Sequence, residues 1–290
     1  MNSFKQIAIY GVGLMGASIG LAARQKFPGA KLVGIGRNAD RLARASELGC
    51  IDEWTIEPPE LLAGSDLVIL CTPVRHISGI LAEVAAAAPA HAIVTDVGST
   101  KATIVAEAGK HFSAGGPMFV GSHPIAGSEQ TGAAAARADL FEDACCLVTP
   151  GRDAEADTAD PAVDRIEAFW QALGARVIVV SAVEHDRLMS LVSHAPHLAA
   201  VALIEALRSG PDKLERIRQV CGNGLRDTTR VAAGSAEVWR DICRENKDEI
   251  VSALDRVIEE LQRLRAAIAA DDEASLEAIL RQAADYRAGL

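Results

Sequence analysis

The chain has 290 residues, 49% of them apolar and 23% charged, which is enough apolar material for about two domains of roughly 150 residues. Its formal net charge is −10 and it has no stripe dense in lysine and arginine, so a nucleic-acid partner is not expected, because neutralising phosphates needs clustered cations. The six cysteines are scattered and include no C-x-x-C pair, and there is no signal peptide, which predicts reduced thiols in a cytoplasmic protein. Because no apolar run reaches about 18 residues, a membrane partner is not expected.

From residue 6 onward, short β-branched segments alternate with alanine-rich helical ones. The alternation starts with "QIAIYGVG", "LMGASIGLAARQKF", "AKLVGIG" and "NADRLARASELG", and it continues to "RVIVVS" near residue 180. Strands and helices of these lengths predict βαβ units and a mostly parallel sheet. The polar segment 151–160 predicts an exposed connection inside this region, because the strand–helix–strand order continues across it.

After about residue 180 the pattern is helical throughout. The sequence therefore predicts a doubly wound, Rossmann-type α/β domain over residues 1–181, followed by an all-helical domain over residues 182–290. In the longest predicted helix an apolar stripe recurs at helical spacing, formed by Ile250, Leu254, Val257, Ile258 and Leu261. Such a stripe packs either in its own domain or against a second subunit, and the second possibility predicts a homodimer formed through these helices.

The first predicted strand runs directly into the glycine loop "GVGLMGASIG". Gly11, Gly13 and Gly16 have the spacing that lets a dinucleotide approach the backbone, and Leu14 and Met15 begin the helix whose free N–H groups can bind a pyrophosphate. A strand before this loop, a helix after it and a second strand about 20 residues further on support a cofactor site.

The end of the second predicted strand bears on the choice of cofactor. Gly36 stands where NAD-preferring sites usually place a carboxylate, and Arg37 follows it. A guanidinium can pair with a ribose 2′-phosphate, so we expect NADP, or the use of both NADP and NAD. Alternatively, Arg37 stacks on adenine or points to solvent. Thr72 and Pro73 in "CTPV" end the fourth predicted strand, at the sheet edge where such ligands bind.

Two polar segments follow in the first region. Ser99 and Thr100 in "VTDVGSTK" lie between a strand and a helix, so they cap the helix, or Ser99 binds a substrate hydroxyl group or a carboxamide, or both. The stretch "GSHPIAGSEQTG" around His123 is rich in glycine and has the composition of a loop. It carries a histidine that is either a catalytic group or part of a surface connection.

The helical region contains two further groups of polar residues. His194 and His197 in "LVSHAPHLAA" share a helix face, but no third ligand stands at suitable spacing, so a metal site is not expected. They are either core histidines or residues that face a site, in a helix that Pro196 breaks. Arg226, Asp227 and Arg230 form either a surface ladder of salt bridges or a site in which one arginine binds a substrate carboxylate.

Together these segments resemble the prephenate/arogenate dehydrogenase family, the cyclohexadienyl dehydrogenases of tyrosine biosynthesis. The resemblance covers essentially the whole chain and rests on "GVGLMGASIG", "DVGSTK", "GSHPIAGSEQTG", "SHAPHLAA" and "LRDTTRVA", in the order of the family. It implies oxidative decarboxylation of a cyclohexadiene that bears a ring hydroxyl group and a ring carboxylate, with hydride transfer to NAD or NADP.

The resemblance also implies roles for individual residues. His123 is expected to accept the hydroxyl proton, Ser99 to orient the hydroxyl group and Arg230 to bind the ring carboxylate. Further expected substrate contacts are Ser128, Glu129, His194 and His197. Members restricted to arogenate tend to lack the second histidine of this motif, so His197 favours prephenate, with arogenate tolerated.

Two alternatives stay open at this point. A β-hydroxyacid dehydrogenase also joins a dinucleotide domain to helices, but it uses a helix lysine, and neither Lys213 nor Lys247 has a convincing site context. A redox sensor that binds NADP(H) without catalysis would have no reason to carry Ser99, His123 and Arg230 together.

Overall fold

A computed structural model of the chain describes residues 4–127, 130–151 and 160–290. These residues form two compact units. The first contains the described residues up to Met189 together with Ala233–Asn246, and the second contains Ser190–Ala232 and Lys247–Leu290. Of the predicted connection 151–160, residues 152–159 lie outside the described part of the chain.

The first unit is built on a six-stranded parallel sheet with the strand order β3-β2-β1-β4-β5-β6. Its strands are β1 (Gln6–Tyr10), β2 (Lys31–Ile35), β3 (Glu53–Thr55), β4 (Leu67–Leu70), β5 (Ile93–Asp96) and β6 (Met118–Phe119). From β1 the chain first builds the sheet outward on one side, through β2 and β3, and then on the other side, from β4 onward. Dinucleotides bind at this switch point in doubly wound sheets.

Alternate residues of the sheet strands face two separate cores. Ile7 and Ile9 of β1 pack into one core, whereas Ala8 and Tyr10 pack into the other. Strands covered on both faces have to be apolar at nearly every position, as β4 is with "LVIL". The covering helices are α1 (Leu14–Lys26), α2 (Ala39–Glu47), α3 (Pro59–Ala63), α4 (Val74–Ala87), α5 (Ala102–His111) and α6 (Pro161–Ala172).

A second, three-stranded sheet in the same unit has the order β7-β8-β9. Its strands are β7 (Gly121–Pro124), β8 (Cys145–Thr149) and β9 (Arg176–Val179), with a 3₁₀ turn at Ala133–Ala135 before β8. β7 runs antiparallel to β8, and β8 runs parallel to β9. Trp170 of α6 donates a hydrogen bond to Ser122 Oγ at 3.0 Å, and Ser122 donates to the main-chain oxygen of Asp96 at 2.6 Å, so β7 is bonded to α6 and β5.

The remaining helices are α7 (Ala182–Met189), α8 (Ala195–Ser209), α9 (Leu214–Val220), α10 (Asn223–Thr229), α11 (Ala236–Glu245), α12 (Lys247–Ala269) and α13 (Glu273–Ala288). A π-helical turn, Ser190–His194, directly precedes α8, and a 3₁₀ turn, Arg230–Ala233, follows α10. The π-helical turn lies just before Pro196, whose ring cannot fit under an undistorted preceding turn. The predicted break at Pro196 is thus a widened turn.

Helix α11 belongs to the first unit although it comes late in the chain. Arg75 at the start of α4 forms ion pairs with Glu237 and, at 3.7 Å, with Asp241 of this helix. Just after α11, the Asn246 side chain donates a hydrogen bond to the main-chain oxygen of Asp186 at 2.8 Å. These contacts hold residues 233–246 beside α4 and α7.

Candidate active site

The glycine loop after β1 has the shape that a dinucleotide requires. Gly11 has φ of +99°, and a Cβ at this position would lie 2.9 Å from the main chain of Cys71. A Cβ at Gly16 would collide with the carbonyl oxygen of Gly11, whereas a Cβ at Gly13 would meet no atom within 4 Å. The first and third glycines therefore allow close packing, and the second leaves the open approach that a pyrophosphate needs.

The start of α1 is suited to binding an anion. Leu14 and Met15 are its first two residues, no side chain caps it at Gly13, and its first turn contains no acidic residue. Its first N–H groups and the positive end of its dipole are thus available to phosphate oxygens. Next to this loop, Thr72 Oγ1 is buried and makes no hydrogen bond within the described residues, while Pro73 is exposed at the start of α4. The residues present fit a bound dinucleotide.

Arg37 lies two residues beyond β2, at the same edge of the sheet. Its side chain is exposed and forms no ion pair with any residue that the structure describes. Its charge acts on Tyr10 at the end of β1: burial raises the pKa of Tyr10, as does nearby Glu83, and Arg37 opposes this rise. The guanidinium is therefore close to the end of β1 and open to an anionic ligand.

His123 lies on a strand, which corrects the expectation of a loop for Gly121–Pro124, whereas residues 125–127 and 130–132 of the same segment are loop as expected. The residues from Gly121 to Pro124 pair with β8, and His123 lies opposite Leu147. Pro124 has no N–H group, but β7 is at the edge of its sheet, where a proline is tolerated. His123 is 7% exposed, so the strand holds it in a buried setting.

A chain of hydrogen bonds leads from His123 into the interior. His123 Nδ1 lies 2.9 Å from His185 Nε2, and His185 Nδ1 lies 2.8 Å from Asp186 Oδ1. Asp186 accepts further hydrogen bonds from the main-chain N–H groups of Lys101 (2.7 Å) and Ala102 (2.9 Å) at the start of α5. Burial lowers the pKa of His185, although Asp186 opposes this effect.

The capping of α5 differs from the expected arrangement. No side chain from the preceding loop caps this helix, and Thr100 Oγ1 is buried without a hydrogen-bond partner in the described residues. The carboxylate of Asp186, 84 residues beyond Ala102, binds the N–H groups that Ser99 or Thr100 was expected to satisfy. Ser99 itself is half-buried and has no hydrogen bond to another described residue, so its hydroxyl group is available to a ligand.

A buried ion pair lies beneath the Ser99 loop. Lys101 Nζ pairs with Asp96 Oδ2, and both side chains are fully buried. The same carboxylate accepts hydrogen bonds from the N–H groups of Gly98 (2.8 Å) and Ser122 (3.2 Å). The sequence reasoning missed Asp96, Lys101, His185 and Asp186. Their one sequence signal is the position of charged or polar residues beside apolar runs, in "VTDVGSTK" and "VEHDRLM".

The second unit contains His194, His197 and Arg230. His194 is fully buried in the π-helical turn, and His197 is 4% exposed in α8. Burial lowers the pKa of His197, and a hydrogen bond from its ring to the main chain of Val231 opposes this shift. His197 is thereby attached to the 3₁₀ turn that begins with Arg230.

Arg230 and its neighbours do not form the ladder of salt bridges that was one expectation. Arg226, Asp227 and Arg230 are exposed, and none of them forms an ion pair with a residue in the described ranges. A guanidinium without an intramolecular carboxylate can bind one from a ligand. Ser128 and Glu129, the remaining expected substrate contacts, lie outside the described residues.

Comparison with known protein families shows the family to which this chain belongs. A family model described as "prephenate dehydrogenase, nucleotide-binding domain" matches residues 19–179, and one described as "prephenate dehydrogenase, dimerization domain" matches residues 181–282. The chain belongs to the prephenate dehydrogenase family. Its membership confirms the family and the fold class that the sequence predicts. It also confirms an NAD(P)-linked oxidoreductase, in preference to a β-hydroxyacid dehydrogenase or a non-catalytic sensor.

Three members of the prephenate dehydrogenase family show how far the similarity extends. The chain is 34% identical to prephenate dehydrogenase of Bacillus subtilis, over 100% of this chain and 77% of that protein. It is 35% identical to cyclohexadienyl dehydrogenase of Zymomonas mobilis, over 94% of this chain and 91% of that protein. Prephenate dehydrogenase from A. aeolicus, solved with hydroxyphenyl propionate and NAD⁺, is 30% identical and superposes with a TM-score of 0.90, covering 99% of both chains.

One helical run at the start of the dimerization-domain match is long and apolar enough to cross a membrane, a feature that the sequence reasoning did not note. By length and composition Ala182–Ser209 is apolar enough, with a mean hydropathy of 1.3 over an 18-residue window that is 33% buried. Core helices of soluble proteins share this length and composition, so the helix does not by itself indicate a membrane protein.

Proposed function

We propose that the chain catalyses the oxidative decarboxylation of prephenate, accepts arogenate as well, and uses NADP in preference to NAD. The products are 4-hydroxyphenylpyruvate from prephenate and tyrosine from arogenate. The position of His123 carries this proposal: a buried imidazole is held on β7, in the same unit as the glycine loop. The relatives named prephenate and cyclohexadienyl dehydrogenase support the substrate class.

The chemistry places one demand on each proposed side chain. A bound nicotinamide dinucleotide supplies the hydride acceptor for the carbon that carries the ring hydroxyl group. His123 takes the hydroxyl proton, and Ser99 orients the hydroxyl oxygen by a hydrogen bond. Arg230 binds the ring carboxylate until the carboxylate departs as carbon dioxide. The electron pair of the broken C–C bond stays with the ring, which becomes aromatic. His123 then returns its proton to the phenolate oxygen, so the histidine is neutral again after each turnover.

The proposal assigns the remaining residues to binding. Gly11, Gly13 and Gly16 with the start of α1 hold the pyrophosphate, and Thr72 and Pro73 line the same edge of the sheet. His197, attached to the turn of Arg230, and His194 contact the substrate, as do Ser128 and Glu129.

Exposed apolar side chains of the second unit form the proposed dimerisation surface. Of the predicted stripe on α12, Ile250 is buried, whereas Ile258 and Leu261 are 49% and 59% exposed. On α8, Leu203 and Ile204 are also exposed. Burying these side chains against a second copy accounts for their exposure in one chain, and the match to a dimerization domain supports it. A mass of two chains by light scattering is expected, and a mass of one chain would contradict the proposal.

The proposed function is tested by measuring cofactor reduction with prephenate and with arogenate, each offered NADP and NAD. We expect turnover of prephenate, slower turnover of arogenate and a higher kcat/KM with NADP. The absence of turnover of both substrates by well-folded protein would exclude the proposal.

The choice of cofactor is tested separately by Arg37→Ala. Loss of a charge-assisted contact to the 2′-phosphate is expected to raise the KM for NADP by about 10- to 100-fold and to leave the KM for NAD nearly unchanged. Arg41→Ala is the matched control, since Arg41 is another exposed arginine at the start of α2. Equal effects of Arg37→Ala on both cofactors would remove Arg37 from 2′-phosphate recognition.

Arg230→Ala tests the carboxylate contact. We expect the KM for prephenate to rise by roughly 10- to 100-fold with a smaller change in kcat, because a charge-assisted hydrogen bond to the substrate is lost. Arg226→Ala, one helical turn earlier and equally exposed, is the control. If the effect appears in Arg226→Ala and not in Arg230→Ala, the carboxylate contact belongs to Arg226.

A further inference from the structure

His185 and Asp186 are two buried polar groups that the proposed reaction leaves unused. They are 0% and 3% exposed, and they connect His123 on β7 with the first N–H groups of α5. Neither touches solvent appreciably, so a role in solubility does not explain them. Burying a histidine and a carboxylate costs free energy unless their hydrogen bonds are satisfied, and here these bonds run in one continuous chain.

The donor and the acceptor of each hydrogen bond in this series can be assigned by starting from Asp186, its innermost residue. Main-chain N–H groups can only donate, so both oxygens of the Asp186 carboxylate act as acceptors, Oδ1 from Lys101 and Oδ2 from Ala102. An ionised carboxylate only accepts, so His185 Nδ1 must donate to Asp186 Oδ1. In a neutral His185 the proton is then on Nδ1, and Nε2 is an acceptor.

The next step reaches His123. Because His185 Nε2 accepts, His123 Nδ1 has to carry the proton of the bond between them. A neutral His123 in this tautomer has its lone pair on Nε2, the ring atom remote from His185. The opposite tautomer of His123 would place two acceptors, Nδ1 of His123 and Nε2 of His185, face to face at 2.9 Å.

From this geometry we propose that Asp186 and His185 act as positioning residues that hold His123 in its Nδ1–H tautomer, so that Nε2 is the atom that takes the proton from the substrate hydroxyl group. The role rests on the proposed function of His123 as the base. When Nε2 takes the proton, His123 becomes positively charged, and the chain to the Asp186 carboxylate stabilises that charge. The same carboxylate fixes the main chain of α5 two residues after Ser99.

The charges around His185 are consistent with this role. The groups that face it are Asp186 on its own helix, His123 on β7, Asp96 on β5 and Lys101 before α5. Burial lowers the pKa of His185 and so keeps its ring neutral. Protonation at Nε2 would reverse the bond to His123, and His123 would lose its acceptor at Nε2.

The experiment begins with the tautomer of His123 in the parent protein. Nitrogen-15 NMR of histidine-labelled protein, with the signal assigned through His123→Asn, is expected to show a protonated Nδ1 and an unprotonated Nε2 at neutral pH. A protonated Nε2 in neutral His123 would overturn the proposal. This readout does not use substrate, so it is independent of whether the proposed reaction occurs.

Two variants then test the chain. Asp186→Asn offers an NH₂ group that can donate to His185 Nδ1 and reverse both bonds, so we expect His123 to shift toward the Nε2–H tautomer. kcat is expected to fall by about 10²- to 10⁴-fold with little change in the KM for substrate, as when a base is held in the wrong tautomer. In His185→Gln the amide oxygen can replace Nε2 as acceptor, so this variant should retain more activity than His185→Leu.

Glu184→Gln is the control, since Glu184 is exposed on the same helix and lies outside the chain. If Asp186 and His185 were merely structural, their variants would have a lower Tm, but His123 would keep its tautomer. His185→Gln would then be no more active than His185→Leu. Normal kcat in well-folded Asp186→Asn, or equal kcat in His185→Gln and His185→Leu, would overturn the proposal. Absence of turnover in the parent protein would instead count against the proposed function.

Discussion

His123→Asn is expected to lower kcat by about 10²- to 10⁴-fold, the range associated with loss of a general base. Asparagine keeps an NH₂ group near the position of Nδ1, so the hydrogen bond to His185 can persist while the proton-accepting Nε2 is lost. The fold of β7 should therefore survive, and the KM for substrate and the affinity for dinucleotide should change little.

The measurement is kcat and KM for prephenate over a range of pH, with dinucleotide affinity measured separately. His91→Asn is the control, because His91 is an exposed histidine next to β5 whose ring lies 3.2 Å from Asp66. Near-normal turnover in His123→Asn would remove His123 from the role of base. A large rise in KM with unchanged kcat would instead make it a binding residue.

Asp96→Asn is expected to have the largest effect on stability. It removes the charge that compensates the fully buried Lys101, and breaking a buried ion pair on one side typically costs about 3–5 kcal/mol in the free energy of unfolding. Burial already lowers the pKa of Lys101, with Asp96 opposing that effect, so the ammonium group depends on this carboxylate. Denaturant unfolding followed by circular dichroism measures the change.

A double variant separates charge from packing. In Asp96→Asn/Lys101→Met the buried cation is gone, so the double variant should be more stable than Asp96→Asn alone. Lys110→Met is the surface control, because Lys110 pairs with Glu107 in an exposed position and should matter little. A parent-like stability of Asp96→Asn, or a double variant no more stable than the single one, would show that the ion pair does not stabilise the fold.

Parts of the candidate site were predictable because they depend on short segments. Gly11, Gly13 and Gly16 could be assigned from their spacing after a strand, since the turn, the open approach and the close packing all involve neighbouring atoms. The parallel order of the first sheet likewise follows from the alternation of strands and helices. The roles of Ser99, His123, Arg37 and Arg230 remain predictions that the variants above test.

Other features were not predictable, because the amino-acid composition of a segment does not indicate which strand it will pair with. The segment around His123 has the glycines and proline of a loop, yet its first part, Gly121–Pro124, pairs with β8, which lies more than 20 residues further along the chain. An edge strand tolerates Pro124, and no local signal announces its partner.

By itself, the sequence determined the two kinds of architecture, the glycine loop and the family, since these depend on periodicity and on short motifs. Only the tertiary structure decided which side chains surround His123. His185 lies 62 residues from His123, and Asp186 lies 85 residues from the N–H group of Lys101 that it binds. These contacts arise because packing of β7, α5 and α7 buries polar groups, and each buried group has to find its hydrogen-bond partner wherever the fold places one.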